Sequence, residues 1–175
     1  MQMAFYYDQS RCIVCGTCVR VCKAESATKW RKLSTMEVGD AVAGISSSCY
    51  HCARPACLEA CPVDAISKRE EDGIVIVDRG LCLGRDSCTF CLQACPYEAP
   101  KFGGGDNPRM QKCDLCLDRL QQGRKPRCVV ACPQGALQFG PLDGLVAEYG
   151  DVKEAIGFEY DEAVGPSVVF RPKVL

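Results

Sequence analysis

One histidine, His51, and one tryptophan, Trp30, are all that 175 residues hold of these two side chains. A single imidazole removes most acid–base chemistry near neutral pH, because histidine is the side chain that ordinarily titrates there. No carboxylate pair or Ser–His–Asp arrangement takes its place, so nothing asks for an acid, a base or a nucleophile. Charge of one sign is missing too. The 21 Lys and Arg nearly cancel the 22 Asp and Glu, which argues against the basic face of a nucleic-acid binder. No apolar run approaches the roughly 18 residues of a membrane span. Met1–Asp8 has neither a basic n-region nor an apolar h-region, so no cleavable export signal is expected. Arg31–Lys32 comes too late for a twin-arginine signal and precedes no apolar run. Gly103–Gly104–Gly105 lacks the strand–G-x-G-x-x-G–helix setting, with Pro108 in the third glycine's place, so it reads as a turn and not a phosphate loop.

What the chain has is cysteine, sixteen of them. The first run is Cys12, Cys15, Cys18 and Cys22, spaced C-x-x-C-x-x-C-x-x-x-C, the form that holds a 4Fe–4S cluster in bacterial ferredoxins. Thiolates three residues apart in a loop converge on corners of one cubane. The fourth, a helical turn further on, points away, and in two-cluster ferredoxins it ligates the other cluster. The second run, Cys49, Cys52, Cys57 and Cys61, lengthens one gap to four residues, Ala53–Arg54–Pro55–Ala56, and closes on Cys61–Pro62. The third comprises Cys82, Cys88, Cys91 and Cys95–Pro96, with Arg85 standing where a cysteine is due and Cys82 three residues further out. Either the loop is longer by Arg85–Asp86–Ser87 and Cys82 still ligates, since loop extension costs little closure entropy, or that site holds a 3Fe–4S centre. The fourth run is Cys113, Cys116, Cys128 and Cys132–Pro133, with an eleven-residue excursion through Arg119, Gly123 and Pro126.

Sixteen thiols make four quartets with none over. Zinc sites would pair C-x-x-C with a second, distant C-x-x-C, and a disulfide scaffold needs an oxidising compartment. The triplet-plus-Cys-Pro form is that of iron–sulfur clusters, and a zinc-stapled interaction module is the alternative from another class. The C-x-x-x-C-x-x-C of S-adenosylmethionine radical chemistry occurs nowhere. His51 reads as a hydrogen-bonding neighbour of a complete quartet and Trp30 as packing over a cluster or at an interface. Arg11, Arg20, Lys23, Lys112 and Arg127 stand near the runs, where they would offset cluster charge.

Between the runs the pattern predicts an α+β chain of short strands, hairpins and short helices. Residues 1–11 and 136–139 read as strands, Ala65–Lys68 and Gly73–Asp78 as a hairpin, and residues 167–170 as a last strand. Leu115, Leu117 and Leu120 suggest a short helix ended at Gly123, and residues 142–157 a helix plus turn. Residues 23–48 read as a mixed linker of weak periodicity, and 97–112 as a turn.

The order of the runs, Ala94–Cys95–Pro96–Tyr97–Glu98–Ala99–Pro100, and Lys112–Cys113–Asp114–Leu115–Cys116 with Arg119, Gly123, Pro126 and Cys128 resemble a known family. It is the four-cluster iron–sulfur electron-transfer (beta) subunit of the dimethyl sulfoxide reductase family of molybdenum/tungsten oxidoreductases. The resemblance covers roughly residues 4–140 and implies two nested 2×(4Fe–4S) ferredoxin-like units. An outer unit would take residues 1–46 plus 105–140, an inserted unit 47–104, and a C-terminal extension 141–175. It further implies four quartets: Cys12, Cys15, Cys18 and Cys132 (a); Cys113, Cys116, Cys128 and Cys22 (b); Cys49, Cys52, Cys57 and Cys95 (c); Cys82, Cys88, Cys91 and Cys61 (d). Spacing alone allows run one to pair with run two instead. The implied partners are a large molybdenum/tungsten bis-pterin catalytic subunit and a membrane anchor subunit or other redox carrier. A formate-hydrogenlyase-type complex, a tungsten aldehyde oxidoreductase or a free polyferredoxin are the other settings for such a chain. By its own sequence it is expected in the cytoplasm, unless it crosses the membrane with a signal-bearing partner.

Overall fold

Strand β1, Met3–Asp8, is apolar from Met3 to Tyr7 and buried on both faces from Ala4 onward, as the middle strand of a covered sheet must be. The computed structural model describes residues 1–22 and 28–174. In it β1 lies between two strands from the far end of the chain, β8 (Leu137–Pro141), which runs antiparallel, and β9 (Val168–Arg171), which runs parallel. Phe5 and Tyr7 point into the main core with Leu115, Leu137 and Phe170. Ala4 and Tyr6 point the other way, under α6 (Leu142–Tyr149), where the Tyr6 and Tyr149 rings stack 3.8 Å apart.

The remaining elements are small. In chain order they are α1 (Thr17–Arg20), the hairpin β2 (Lys32–Val38) and β3 (Ala41–Ser47), α2 (Ala56–Glu59), the hairpin β4 (Ile66–Lys68) and β5 (Val75–Val77), and α3 (Phe90–Ala94). They continue with the two-residue pair β6 (Lys101–Phe102) and β7 (Met110–Gln111), then α4 (Leu117–Leu120) and α5 (Arg127–Val130). Single-turn helices do not persist alone in water; α1, α2, α3 and α5 each carry a cysteine that ties them to the rest of the fold.

The linker expected over 23–48 is corrected. Its residues 23–27 lie outside the described residues, but from Lys32 to Ser47 the chain forms the longest hairpin present, seven residues to a strand. The turn is Gly39–Asp40, a glycine at φ 58° opening a two-residue connection. β3, Ala-Val-Ala-Gly-Ile-Ser-Ser, mixes strand-forming Val42 and Ile45 with small residues of low strand propensity, and its Gly44 lies against a cysteine loop. At Gly44 an added Cβ would stand 3.3 Å from Cys12 Sγ and 3.1 Å from Val14. The turn expected over 97–112 narrows to the loop between β6 and β7. The other expected strands, the β4–β5 hairpin and the two helices fall where the pattern put them, within a few residues. No helix among the described residues is long and apolar enough to cross a membrane.

Candidate iron–sulfur sites

The third cysteine of each run lies in a short helix and the fourth comes four residues later: Cys18 and Cys22 in and after α1, Cys57 and Cys61 at α2, Cys91 and Cys95 at α3, Cys128 and Cys132 at α5. One turn is enough to send the two thiols into different cavities. Cavity a is lined by Cys12, Cys15, Cys18 and Cys132, and cavity b by Cys113, Cys116, Cys128 and Cys22. Cavity c is lined by Cys49, Cys52, Cys57 and Cys95, and cavity d by Cys82, Cys88, Cys91 and Cys61. Runs one and four therefore exchange their last cysteines, and so do runs two and three. Thiols of neighbouring cavities feel one another's charge at Cys18 and Cys128, Cys113 and Cys49, and Cys57 and Cys91, so the order is a, b, c, d.

The loops carry a backbone device that the spacing did not disclose. Two residues after the first cysteine of every run the chain is left-handed: Val14 (φ 57°), His51 (48°), Gly84 (86°) and Leu115 (57°). Three residues after the closing cysteine it is so again, at Asp64, Glu98 and Gly135. Such conformations strain a residue with a Cβ, most of all β-branched Val14. They turn backbone N–H groups inward. Val14 N–H donates to Cys12 Sγ at 3.4 Å, Ala65 to Cys61 and Ala136 to Cys132 at 3.3 Å, and Met110 to Cys82 at 3.5 Å.

The same pattern gives Cys82 the place of a first cysteine despite its extra three residues. Gly84 supplies the left-handed turn, and a Cβ there would collide with the Asn107 side chain. Asn107 accepts from the Asp86 N–H and donates to the Leu83 carbonyl, tying Arg85–Ser87 outward while Cys82 faces cavity d.

Burial, then the neighbouring thiolates, pushes the Cys52 and Cys57 thiols up to about 12 and Cys91 to about 11. Exposed Cys15 is shifted down instead, by the Thr17 hydroxyl 3.4 Å away and the Thr17 backbone. Buried thiols without bases beside them await a strongly charged, thiophilic partner. Among the described residues no three metal-ligating side chains stand together around one point. A tetrahedral zinc with Zn–S of about 2.3 Å would draw its sulfurs to about 3.8 Å apart. The thiols here ring a cavity, as a cubane needs.

His51 lies outside all four linings. Its Nδ1 accepts the Val75 N–H at 3.0 Å, and burial, with the Lys112 and Lys68 charges, holds it neutral, well below the usual imidazole range. Trp30 lines cavity b, its indole N–H bonded to Gln111 Oε1. Arg31, which the sequence did not single out, is buried beside it. Burial opposes its charge, but the thiolates of Cys128, Cys113, Cys18 and Cys22 outweigh that and hold the guanidinium above its usual pKa. Also missed were Tyr50 and Tyr97, which line cavity c and pack edge-to-face at 5.0 Å; an aromatic straight after Cys49 and Cys95–Pro96 was the available signal.

Quartets of thiols around four cavities, closed by exchange between runs, define a ferredoxin-type iron–sulfur protein. Comparison with known proteins agrees. Residues 41–142 match a 4Fe–4S dicluster domain family, and residues 11–65 a second family of that description. The B component of anaerobic dimethyl sulfoxide reductase from Escherichia coli K12 is 37% identical over 187 residues, 98% of this chain and 89% of its own. Its Haemophilus influenzae counterpart is 35% identical over 188 residues, with the same coverage. The B component of sulfite dehydrogenase from Allochromatium vinosum is 33% identical over 170 residues, 81% of this chain and 69% of its own. The chain belongs to the four-cluster iron–sulfur subunits of the dimethyl sulfoxide reductase family. It carries 4Fe–4S clusters and is an electron-transfer subunit of an oxidoreductase complex, not the catalytic chain.

Proposed function

We propose that quartets a, b, c and d each hold one 4Fe–4S cluster, Cys82 included, and that the chain relays single electrons to or from a molybdenum/tungsten bis-pterin catalytic subunit. The reciprocal exchange of closing cysteines carries this reading, because it gives every cavity three thiols from one run and one from another. A cluster so held takes up and releases one electron at a time. The protein's part is to keep water out and to aim N–H groups at sulfur, two levers on potential. Since a and b draw on runs one and four alone, and c and d on two and three, the chain divides into an outer α+β ferredoxin-like unit (1–46 plus 105–140), an inserted one (47–104) and an extension (141–175). Loading needs reduced thiols, which favours the cytoplasm; contact with a membrane would come through an anchor subunit.

The pairing is tested by serine substitution and electron paramagnetic resonance of the reduced protein. Cys22→Ser and Cys132→Ser should disturb one interacting pair of clusters, and Cys61→Ser and Cys95→Ser the other. Should Cys22→Ser disturb the pair that Cys61→Ser disturbs, run one pairs with run two and the assignment falls. Anaerobic purification from the native source tests the partner: a large co-purifying chain with molybdenum or tungsten is expected, and a chain that comes alone and fully loaded with iron would be a free polyferredoxin.

A further inference from the structure

Lys112 is 3% exposed, yet among the described residues it pairs with no carboxylate. Its ammonium donates to the Val75 and Cys113 carbonyls, two acceptors for three N–H groups. Among the described residues it is the one charged side chain lining cavity c. Arg31, also 3% exposed, is its counterpart at cavity b. It donates to Ser46 O and Oγ and to Ser48 Oγ, and its guanidinium carbon sits 4.6 Å over the Phe5 ring, again with no carboxylate among the described residues. Ser46 Oγ, accepting from Arg31, lies 3.3 Å from Cys18 Sγ and so has its own proton free for that sulfur. Asp114 and Arg127, the other charges at cavity b, are of opposite sign and less buried. Among the described residues no charged side chain lines cavities a and d.

A buried cation without a counter-ion is strongly destabilising. Here the missing negative charge is that of the neighbouring site, about −2 for an oxidised 4Fe–4S centre with four thiolates and one more when reduced. We propose that Lys112 and Arg31 are potential-setting residues. Each is held as a fixed, buried positive charge against one interior site, Lys112 at c and Arg31 at b, and favours the reduced form there while leaving the end site d unaffected. This rests on the quartet assignment above, and its test separates the two.

The experiment is a redox titration of the anaerobic holoprotein followed by electron paramagnetic resonance, with the c signal assigned by Cys49→Ser and Cys95→Ser. If those two substitutions alter different signals, the quartet is wrong, and the proposal for Lys112 falls with it in a recognisable way. With c assigned, Lys112→Met should make that cluster at least tenfold harder to reduce, about 59 mV lower for a one-electron couple. The d signal should hold still, and Lys112→Arg should restore most of the shift. A c midpoint unmoved in the fully loaded Lys112→Met protein overturns the proposal, as does an equal shift of all four signals. If Lys112→Met loses iron, Lys112→Gln, which keeps a donor but no charge, is read the same way. Arg31→Gln against Arg31→Lys makes the parallel test at b, where the charge-keeping variant alone should retain the midpoint.

Discussion

Phe170→Ala is the most informative single truncation of the scaffold. Phe170 is 1% exposed in β9, its ring edge-on to Tyr7 at 6.5 Å and tilted against Phe158 at 4.6 Å. Phe158 in turn stacks on Tyr97 at 5.3 Å and meets Tyr50 at 5.2 Å. Tyr7 lines cavity a, while Tyr50 and Tyr97 line cavity c, so one row of rings braces two sites. Removing a fully buried phenyl ring costs about 3–5 kcal/mol in transfer and cavity energy, and the two ring contacts put this case toward the upper half of that range. Cofactor proteins seldom unfold in two states, so the assay is a rate: loss of visible cluster absorbance in fixed guanidinium under anaerobic conditions. At about 1.4 kcal/mol per decade, bleaching should accelerate at least a hundredfold if Phe170 packs late in folding. The a and c signals should go before d, whose apolar wall (Ile66, Val77, Phe102, Met110) does not touch Phe170. Val174→Ala, at a site 90% exposed, should change the rate little. Bleaching within twofold of the parent, or d lost first, would refute the reasoning.

Three further outcomes are open to direct measurement. The apoprotein should lose stability in alkali: Cys52 and Cys57 ionise near 9 when unfolded and at about 12 when folded, so their contribution is intact below pH 9 and disappears as pH rises toward 12, seen as a falling melting temperature, whereas the loaded protein, already thiolate, should lack this limb. Gly44→Val should press its γ-carbons on Cys12 and Val14 and selectively deplete site a, read as loss of about one cluster's iron with the c and d signals intact. Cys82→Ser should leave the third-run site with a three-iron signal in the oxidised protein; loss of no iron would mean that Cys82 is not a ligand.

The chemistry was legible because cysteine spacing is a local geometric constraint: thiols three apart in a loop and one helical turn beyond have few ways to face a cubane. The β4–β5 hairpin and β8 were equally plain, being short β-branched or apolar runs closed by turn residues. The β2–β3 hairpin was hidden because Gly44 serves closeness to Cys12 and Val14, not strand propensity, although Gly39–Asp40 did mark its turn. The left-handed residues were hidden more deeply, since Val14 and Leu115 are poor choices for that conformation on propensity alone. They keep it because the cysteines on either side are held, which is tertiary context overriding local preference. Arg31 escaped notice for a similar reason: only the fold shows that its charge is buried and that thiols surround it.

The pairing of β1 with β9 also bears on biosynthesis. Asp8 sits opposite Arg171 and Phe5 opposite Val168, so β1 cannot finish its sheet until residues 168–171 follow it. Cavities a and b wait likewise, since Cys12 and Cys22 close on residues beyond 112. Contacts so distant along the chain form slowly. The nascent protein therefore passes through an interval with its inner thiols, Cys49 to Cys95, already able to gather while the outer ones stand open. Iron delivery that begins at c and d and ends at a and b, with β9 docking as the closing step, is the sequence of assembly this topology favours.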